Sequence, residues 1–343
     1  MQPRYTRNFM LKQVRVSVGT GIVLGLANGK IDAAPTTAYL MTYRKTKCMA
    51  NCGFCPQART SMGKADMLSR ISWPVFPTKQ VLDKLRWASE RNIIRRVCIQ
   101  ALNYPETFAH LQTLVRGISG AINVPISVSC QPPNTASMKL LAEAGVERMG
   151  IPLDAANAEL FDKVKGKLAG GPYRWKRQFE LLNKAVTIFG RGFVSTHLIV
   201  GLGEKEKESA DIIQDCADMG VLPGLFAFTP IRGTKMENES QPPIEEYRRI
   251  QVARYLIVNR ISRSEKMRFD STGQLIDFGV TDDVLSRVIE TGEPFLTSGC
   301  PDCNRPYYNE KPSGPIYNYP RRLRKEEVAR IRCQLSLERG NSL

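Results

Sequence analysis

Eight short apolar runs, each separated from the next by helix-forming sequence, constrain this chain more than any other feature. They are AYLMTYR (38–44), RVCIQAL (96–102), PISVSC (125–130), RMGIPL (148–153), STHLIVG (195–201), GLFAFTP (224–230), KMRFDS (266–271) and PFLTS (294–298). Strands joined through helices pair in parallel, and right-handed crossovers wind such units into a ring. The expected fold is therefore α/β, a single (β/α)8 barrel of TIM type. The helices between carry their own signals: Thr78 ahead of KQVLDKLRWASER, Asn134 or Thr135 ahead of ASMKLLAEAG, and Gly145 as a stop. No repeat or linker breaks the series, and 343 residues suit one such domain. Residues 1–37 are expected to form an N-terminal helical extension, 38–303 the barrel and 304–343 a C-terminal tail.

Barrels of this kind do their chemistry at the carboxyl ends of the strands. There, just after the first run, KCMANCGFCPQART (47–60) sets Cys48, Cys52 and Cys55 in a C-x3-C-x2-C spacing. A structural zinc site calls for a fourth Cys or His, and none follows within forty residues. An all-thiolate trio is unusual for catalytic zinc. Three thiolates can instead hold a four-iron, four-sulfur cluster and leave one iron open to another ligand.

The segment Cys48-Met-Ala-Asn-Cys52-Gly-Phe54-Cys55 resembles the C-x3-C-x-aromatic-C signature of the radical S-adenosylmethionine (SAM) enzymes. The resemblance spans about 38–300. It implies a 4Fe–4S cluster on Cys48, Cys52 and Cys55, whose open iron is chelated by SAM, and one-electron cleavage of SAM to a 5′-deoxyadenosyl radical. Phe54 is then expected beside the adenine. HLIVGLGE (197–204) is similar to the glycine-rich motif of the fifth strand, which places Gly201 and Gly203 along the adenosyl group. FTPIRGTKM (228–236) is similar to a sixth-strand segment of the biotin synthase branch. LDAAN (153–157) matches that branch's ribose-binding segment, which assigns Asp154 to the ribose, with Pro152 where the branch has asparagine. Asn103, in QALNYPE, stands where the family receives the SAM amine, without the usual Gly-Gly-Glu.

A second set of cysteines lies apart from the first. Cys98 is in mid-strand, Cys130 ends PISVSC, and SGCPDCNRPYYNE gives the pair Cys300 and Cys303. A zinc knuckle on the pair alone, with Cys98 and Cys130 merely buried, is the plain alternative. In biotin synthase, cysteines matching Cys98 and Cys130 bind a sulfur-donating cluster. The third matching position here is Ser195, and the seventh-strand arginine matches Arg268. Cys98, Cys130, Cys300 and Cys303 together would suit an auxiliary 4Fe–4S cluster. Cys216 and Cys333 are expected to be inert, and His197 to be a buried structural residue. The Tyr- and Pro-rich run from Cys300 to Arg322 most resembles the archaeal two-protein lipoyl synthases, in particular their second component. That resemblance implies a sulfurtransferase inserting sulfur, first at C8, into an octanoyl chain on a protein lysine. It also implies a lipoyl-carrier protein, a paralogous radical SAM partner and a reductant such as ferredoxin. A SAM-dependent mutase related to methylornithine synthase, acting on a small molecule without a sulfur donor, is the rival.

Lys and Arg exceed Asp and Glu by 16 charges, which favours an acidic partner. No aromatic-interleaved basic motif accompanies that charge, which argues against nucleic acid. The run VSVGTGIVLGLA (16–27) is too short and glycine-rich to span a bilayer, so a cytoplasmic location is expected.

Overall fold

This computed structural model describes residues 11–335. The described part starts with β1 (Gln13–Val16), α1 (Val18–Val23) and β2 (Thr37–Thr42). A small hairpin of β3 (Met67–Leu68) and β4 (Ile71–Ser72) precedes β5 (Val75–Pro77). Then come α2 (Thr78–Glu90), β6 (Arg96–Gln100), α3 (Thr107–Ala121), β7 (Ile126–Ser129), α4 (Thr135–Glu143) and β8 (Val146–Gly150). Next are α5 (Ala158–Val164), α6 (Trp175–Phe189), β9 (Val194–Val200), α7 (Glu206–Met219) and β10 (Val221–Ala227). The remainder holds α8 (Ile244–Val258), the hairpin β11 (Arg268–Phe269) and β12 (Leu275–Asp277), α9 (Asp282–Thr291) and α10 (Lys325–Gln334).

Eight strands form one sheet in the order β10-β9-β8-β7-β6-β2-β1-β5. The six from β2 to β10 pair in parallel, as helix-joined strands must. The last two, β1 and β5, pair antiparallel. Six of the eight expected runs are thus barrel strands, and the α/β architecture stands with its ring open. The run 266–271 is instead one arm of the β11–β12 hairpin, and 294–298 begins as a turn of 3-10 helix. The segment expected as a helical extension contains a strand, β1, as well as α1; residues 1–10 lie outside the described part.

Side-chain alternation separates the two faces of the sheet. On β9, Val194, Thr196, Leu198 and Val200 are buried under the helices, while Ser195, His197 and Ile199 line the interior. The inner layer is a separate apolar cluster of Tyr39, Met41, Trp73, Leu102, Tyr104 and Tyr308. Caps follow the chemistry of the ends. Asn134 accepts the Ser137 N–H at 2.9 Å and starts α4, and Gly145 follows that helix with φ +111°. Thr78 is already inside α2, behind Pro77, and its hydroxyl donates to the Leu11 carbonyl.

Residues 296–319, which take in the end of the expected eighth strand and the start of the expected tail, form a strap. Its ends meet in a Leu296–Tyr319 bridge. Between them the strap crosses the amino ends of the strands: Thr36 and Thr37 hydroxyls donate to the Asp302 carbonyl at 2.7 and 2.9 Å, and Arg96 Nε to Pro301 at 3.0 Å. It then climbs to the carboxyl ends, where the Thr229 hydroxyl donates to the Asn309 carbonyl at 3.0 Å. Buried Arg248 on α8 ties down its far side by donating to the Tyr317 carbonyl at 2.7 Å.

Candidate active site

One cavity of about 280 Å³ occupies the interior between the parallel strands and the strap. Cys48, Cys52 and Cys55 line it, as do Cys98, Cys130, Cys300 and Cys303. The cavity is where all seven predicted ligand thiols converge.

The first trio sits at the carboxyl ends. Its loop is fastened to three neighbours: Met49 N–H to the Asn103 carbonyl at 2.8 Å, Gly53 N–H to Val164 at 2.7 Å and Asn51 Nδ2 to Ala169 at 2.7 Å. The Asn103 N–H donates to Cys48 Sγ at 3.1 Å, a contact suited to a thiolate. Burial pushes the Cys55 thiol up to about 12 and raises Cys52 further, the Lys165 ammonium opposing the rise at Cys52. Thiols so placed ionise when a cation takes their charge. Among the described residues no three Cys, His, Asp or Glu side chains are arranged to hold one metal ion directly. A donor set of three cysteine sulfurs on one cavity wall is of the kind that holds an iron–sulfur cluster.

Beside this trio lies an ion pair. Asp154 adopts φ +72°, held by its own N–H to His197 at 2.7 Å and by the Ile199 N–H to its carbonyl at 2.8 Å. Its carboxylate meets Lys165 Nζ at 2.6 Å. Lys165 also donates to the Pro152 carbonyl and lies 5.2 Å from the Tyr173 ring centroid. Asn103 Nδ2 donates to the Tyr173 hydroxyl at 3.0 Å. Phe54, Asn103 and Asp154 thus face the cavity with the first trio. Gly201 and Gly203 stand just past Ile199, with φ +99° and +117°, and are not among the lining residues. A Cβ on Gly201 would lie 2.7 Å from the Pro242 ring, and Glu204 clasps this turn by accepting the Gly201 and Leu202 N–H groups. Close packing is sufficient reason for Gly201.

The second group forms lower, in the row Tyr39–Cys98–Ser127 across β2, β6 and β7. Cys300 Sγ accepts from the Ser127 hydroxyl at 3.5 Å, and Cys303 Sγ lies 3.5 Å from the Tyr39 hydroxyl. Burial raises the Cys98 thiol, and the neighbouring Cys300 and Cys303 add to the rise. Cys130, raised to about 12 by burial, lines the same cavity at the carboxyl end of β7. The pair from the tail reaches the mid-strand cysteine because the strap passes beneath the barrel.

Two arginines exchange places relative to expectation. Arg268 lies on the exposed β11–β12 hairpin, bound to Asp277 at 2.8 Å, and is absent from the cavity lining. Arg305, two residues beyond Cys303, enters instead. Its guanidinium stacks 3.8 Å from the Phe226 centroid, its Nη2 donates to Ser298, and its buried Nε has no protein partner. Proximity to the C-x2-C pair was the sequence signal for it. Burial lowers His197 to about 4, so it is neutral, packed on Phe226. Cys216 is buried on α7 and Cys333 exposed on α10, both away from the cavity.

A family model described as the radical SAM superfamily matches residues 44–216, just over half of the chain. No curated protein matches it significantly. Among solved structures, the FeFe-hydrogenase maturase HydG from Carboxydothermus hydrogenoformans is 15% identical with a TM-score of 0.50, over 71% of this chain and 60% of that one. A second HydG structure gives 11% identity and a TM-score of 0.52, over 65% and 50%. The chain therefore spans about half to three-fifths of their length, and the likeness is one of fold. No helix among the described residues is long and apolar enough to cross a membrane. The family match, laid over a C-x3-C-x2-C loop at the carboxyl end of the first parallel strand, shows that this chain belongs to the radical SAM superfamily.

Proposed function

We propose that this protein is a sulfurtransferase that inserts sulfur at an unactivated C–H position of an octanoyl chain carried on a protein lysine, taking C8 first. The observation that carries the proposal is that two thiol trios wall one cavity. Cys48, Cys52 and Cys55 would hold the SAM-binding 4Fe–4S cluster. Cys98, Cys300 and Cys303 would hold an auxiliary 4Fe–4S cluster that serves as sulfur source, with the Arg305 guanidinium beside it. Bound at the first trio, cluster and SAM supply a one-electron cleavage that yields a hydrogen-abstracting radical.

The chain's own residues handle position and solvent. Lys165 fixes the Asp154 carboxylate, which is offered to the SAM ribose, and Asn103 sets its N–H against Cys48. Met41, Leu68, Phe226 and Phe228 supply apolar wall, and each buried methylene of an acyl chain contributes about 0.8 kcal/mol. Water kept out of such a wall cannot quench a radical. The positive surface would draw an acidic carrier domain, a paralogous radical SAM partner completing the second insertion and a reductant such as ferredoxin supplying electrons.

The test is anaerobic reconstitution with SAM, reductant and an octanoyl-lysyl peptide, followed by mass spectrometry. A gain of one sulfur is expected, lost in Cys300→Ala. Normal transfer by that variant removes the second trio from the donor role.

A further inference from the structure

Resting on the second trio as sulfur source, we infer that Cys98, Cys300 and Cys303 are filled through the amino-end face of the barrel, by movement of the turn 299–303. The first trio faces the carboxyl-end face. Asn103, whose N–H marks Cys48, lies five residues past Cys98 on the same strand and loop, roughly 16 Å of extended backbone. The two trios thus have opposite nearest surfaces.

The cover on the lower surface is thin. Pro301 and Asp302 are exposed, and Cys300 and Cys303 on either side are only partly buried. What holds the turn is mostly polar: the hydroxyls of Thr36 and of buried Thr37 on the Asp302 carbonyl, buried Arg96 on Pro301, and an exposed Arg95–Asp302 ion pair at 3.1 Å. Cys303 and Asn304 anchor its far end on the inner apolar cluster and on Thr36 and Ala34. The exposed Arg95–Asp302 pair is a weak tether, so the hydroxyl and guanidinium bonds carry most of the hold. Asp302 also sits at φ +63°, a conformation that costs a non-glycine residue energy. Segments with few apolar contacts and exposed hydrogen bonds open locally without global unfolding. At the top of the strap, by contrast, Tyr308 is buried against Tyr39 and Trp73. The turn can swing while the rest of the strap stays docked. A cluster spent as sulfur source must be rebuilt, and a lower door lets iron and sulfide in while SAM and the acyl carrier occupy the upper face.

The test follows iron release from the anaerobically reconstituted protein challenged with a ferrous chelator, with and without SAM. A maleimide trap and peptide mass mapping identify the freed thiols. Two phases are expected: one slowed by SAM that frees Cys48, Cys52 and Cys55, and one indifferent to SAM that frees Cys98, Cys300 and Cys303. Removing the two hydroxyls by Thr36→Val with Thr37→Val should speed only the second phase, by about tenfold. If that double variant misfolds, the surface change Arg95→Gln should speed the same phase. An unchanged second phase, or SAM protection of both, overturns the inference. If the protein holds only about four irons, the sulfur-donor reading fails by itself. Maleimide labelling of Cys300 and Cys303 then judges the door: faster labelling in the threonine double variant sustains it, an unchanged rate sinks it.

Discussion

At Lys165, one ammonium serves the Asp154 carboxylate, the Pro152 carbonyl and the face of Tyr173, with 2% of the residue left to solvent. Removing one partner of a buried pair strands the other charge, which typically costs about 3–5 kcal/mol. Lys165→Met should therefore lower stability by that order in denaturant titration. Asp154→Asn strands the Lys165 ammonium in the same way and should also lower stability. If Asp154 holds the SAM ribose as proposed, the folded fraction should in addition bind SAM about tenfold or more weakly by calorimetry, a neutral amide being a poorer acceptor. Glu310, in the strap, makes a pH prediction. Burial raises its carboxyl to about 8, and one of its oxygens has no partner. The folded protein then keeps a proton that the unfolded chain releases above the usual carboxylate range. Stability from this group is full at low pH and declines as pH rises from about 4.5 through 8. Glu310→Gln should remove this group's share of the decline and narrow the gap between melting temperatures at pH 5 and pH 8.5, Glu246, raised to about 7, keeping a share of its own.

The end of β9 and the strap show how an element's position decides what a substitution does. Gly201→Ala forces a Cβ into the Pro242 ring at a positive φ, so about 1–3 kcal/mol of stability should be lost. Its SAM affinity, measured on the folded fraction, tells strain from direct contact. Tyr39→Phe removes the hydroxyl that accepts the Arg305 N–H and stands beside Cys303. Iron content should fall toward that of one cluster while SAM cleavage persists, by iron assay and deoxyadenosine yield. The six parallel strands were legible because their β-branched runs lie between capped helices. KMRFDS and PFLTS look alike at the level of periodicity, yet the one joins a hairpin and the other begins as a single 3-10 turn. Short apolar runs carry no information about partners, and closure depends on partners. The strand β1 was hidden for the same reason: four residues, paired with chain more than twenty positions away. Cys48, Cys52 and Cys55 stood out by their spacing, by Phe54 and by their place just after the first strand, and they do line the cavity. Arg305 carried only the weak signal of standing two residues past Cys303, since its place in the interior depends on a strap that tertiary structure routes back through it.

Across the whole molecule, an excess of 16 positive charges makes encounter with acidic partners a salt-dependent rate. Raising sodium chloride from roughly 50 to 300 mM should slow association with an acidic octanoyl carrier domain by about tenfold or more in stopped-flow fluorescence, with dissociation changing much less. An unchanged association rate would mean that the positive surface serves something else. The strap carries a further consequence for biogenesis. Because Cys98 is completed by thiols some two hundred residues later, the lower chamber has no floor while the ribosome is still making the chain. If the second trio holds the proposed cluster, its metal can enter only late in the life of each molecule. A fragment stopped before residue 300 would carry the signature loop and lack two of the three lower thiols, however long it waited.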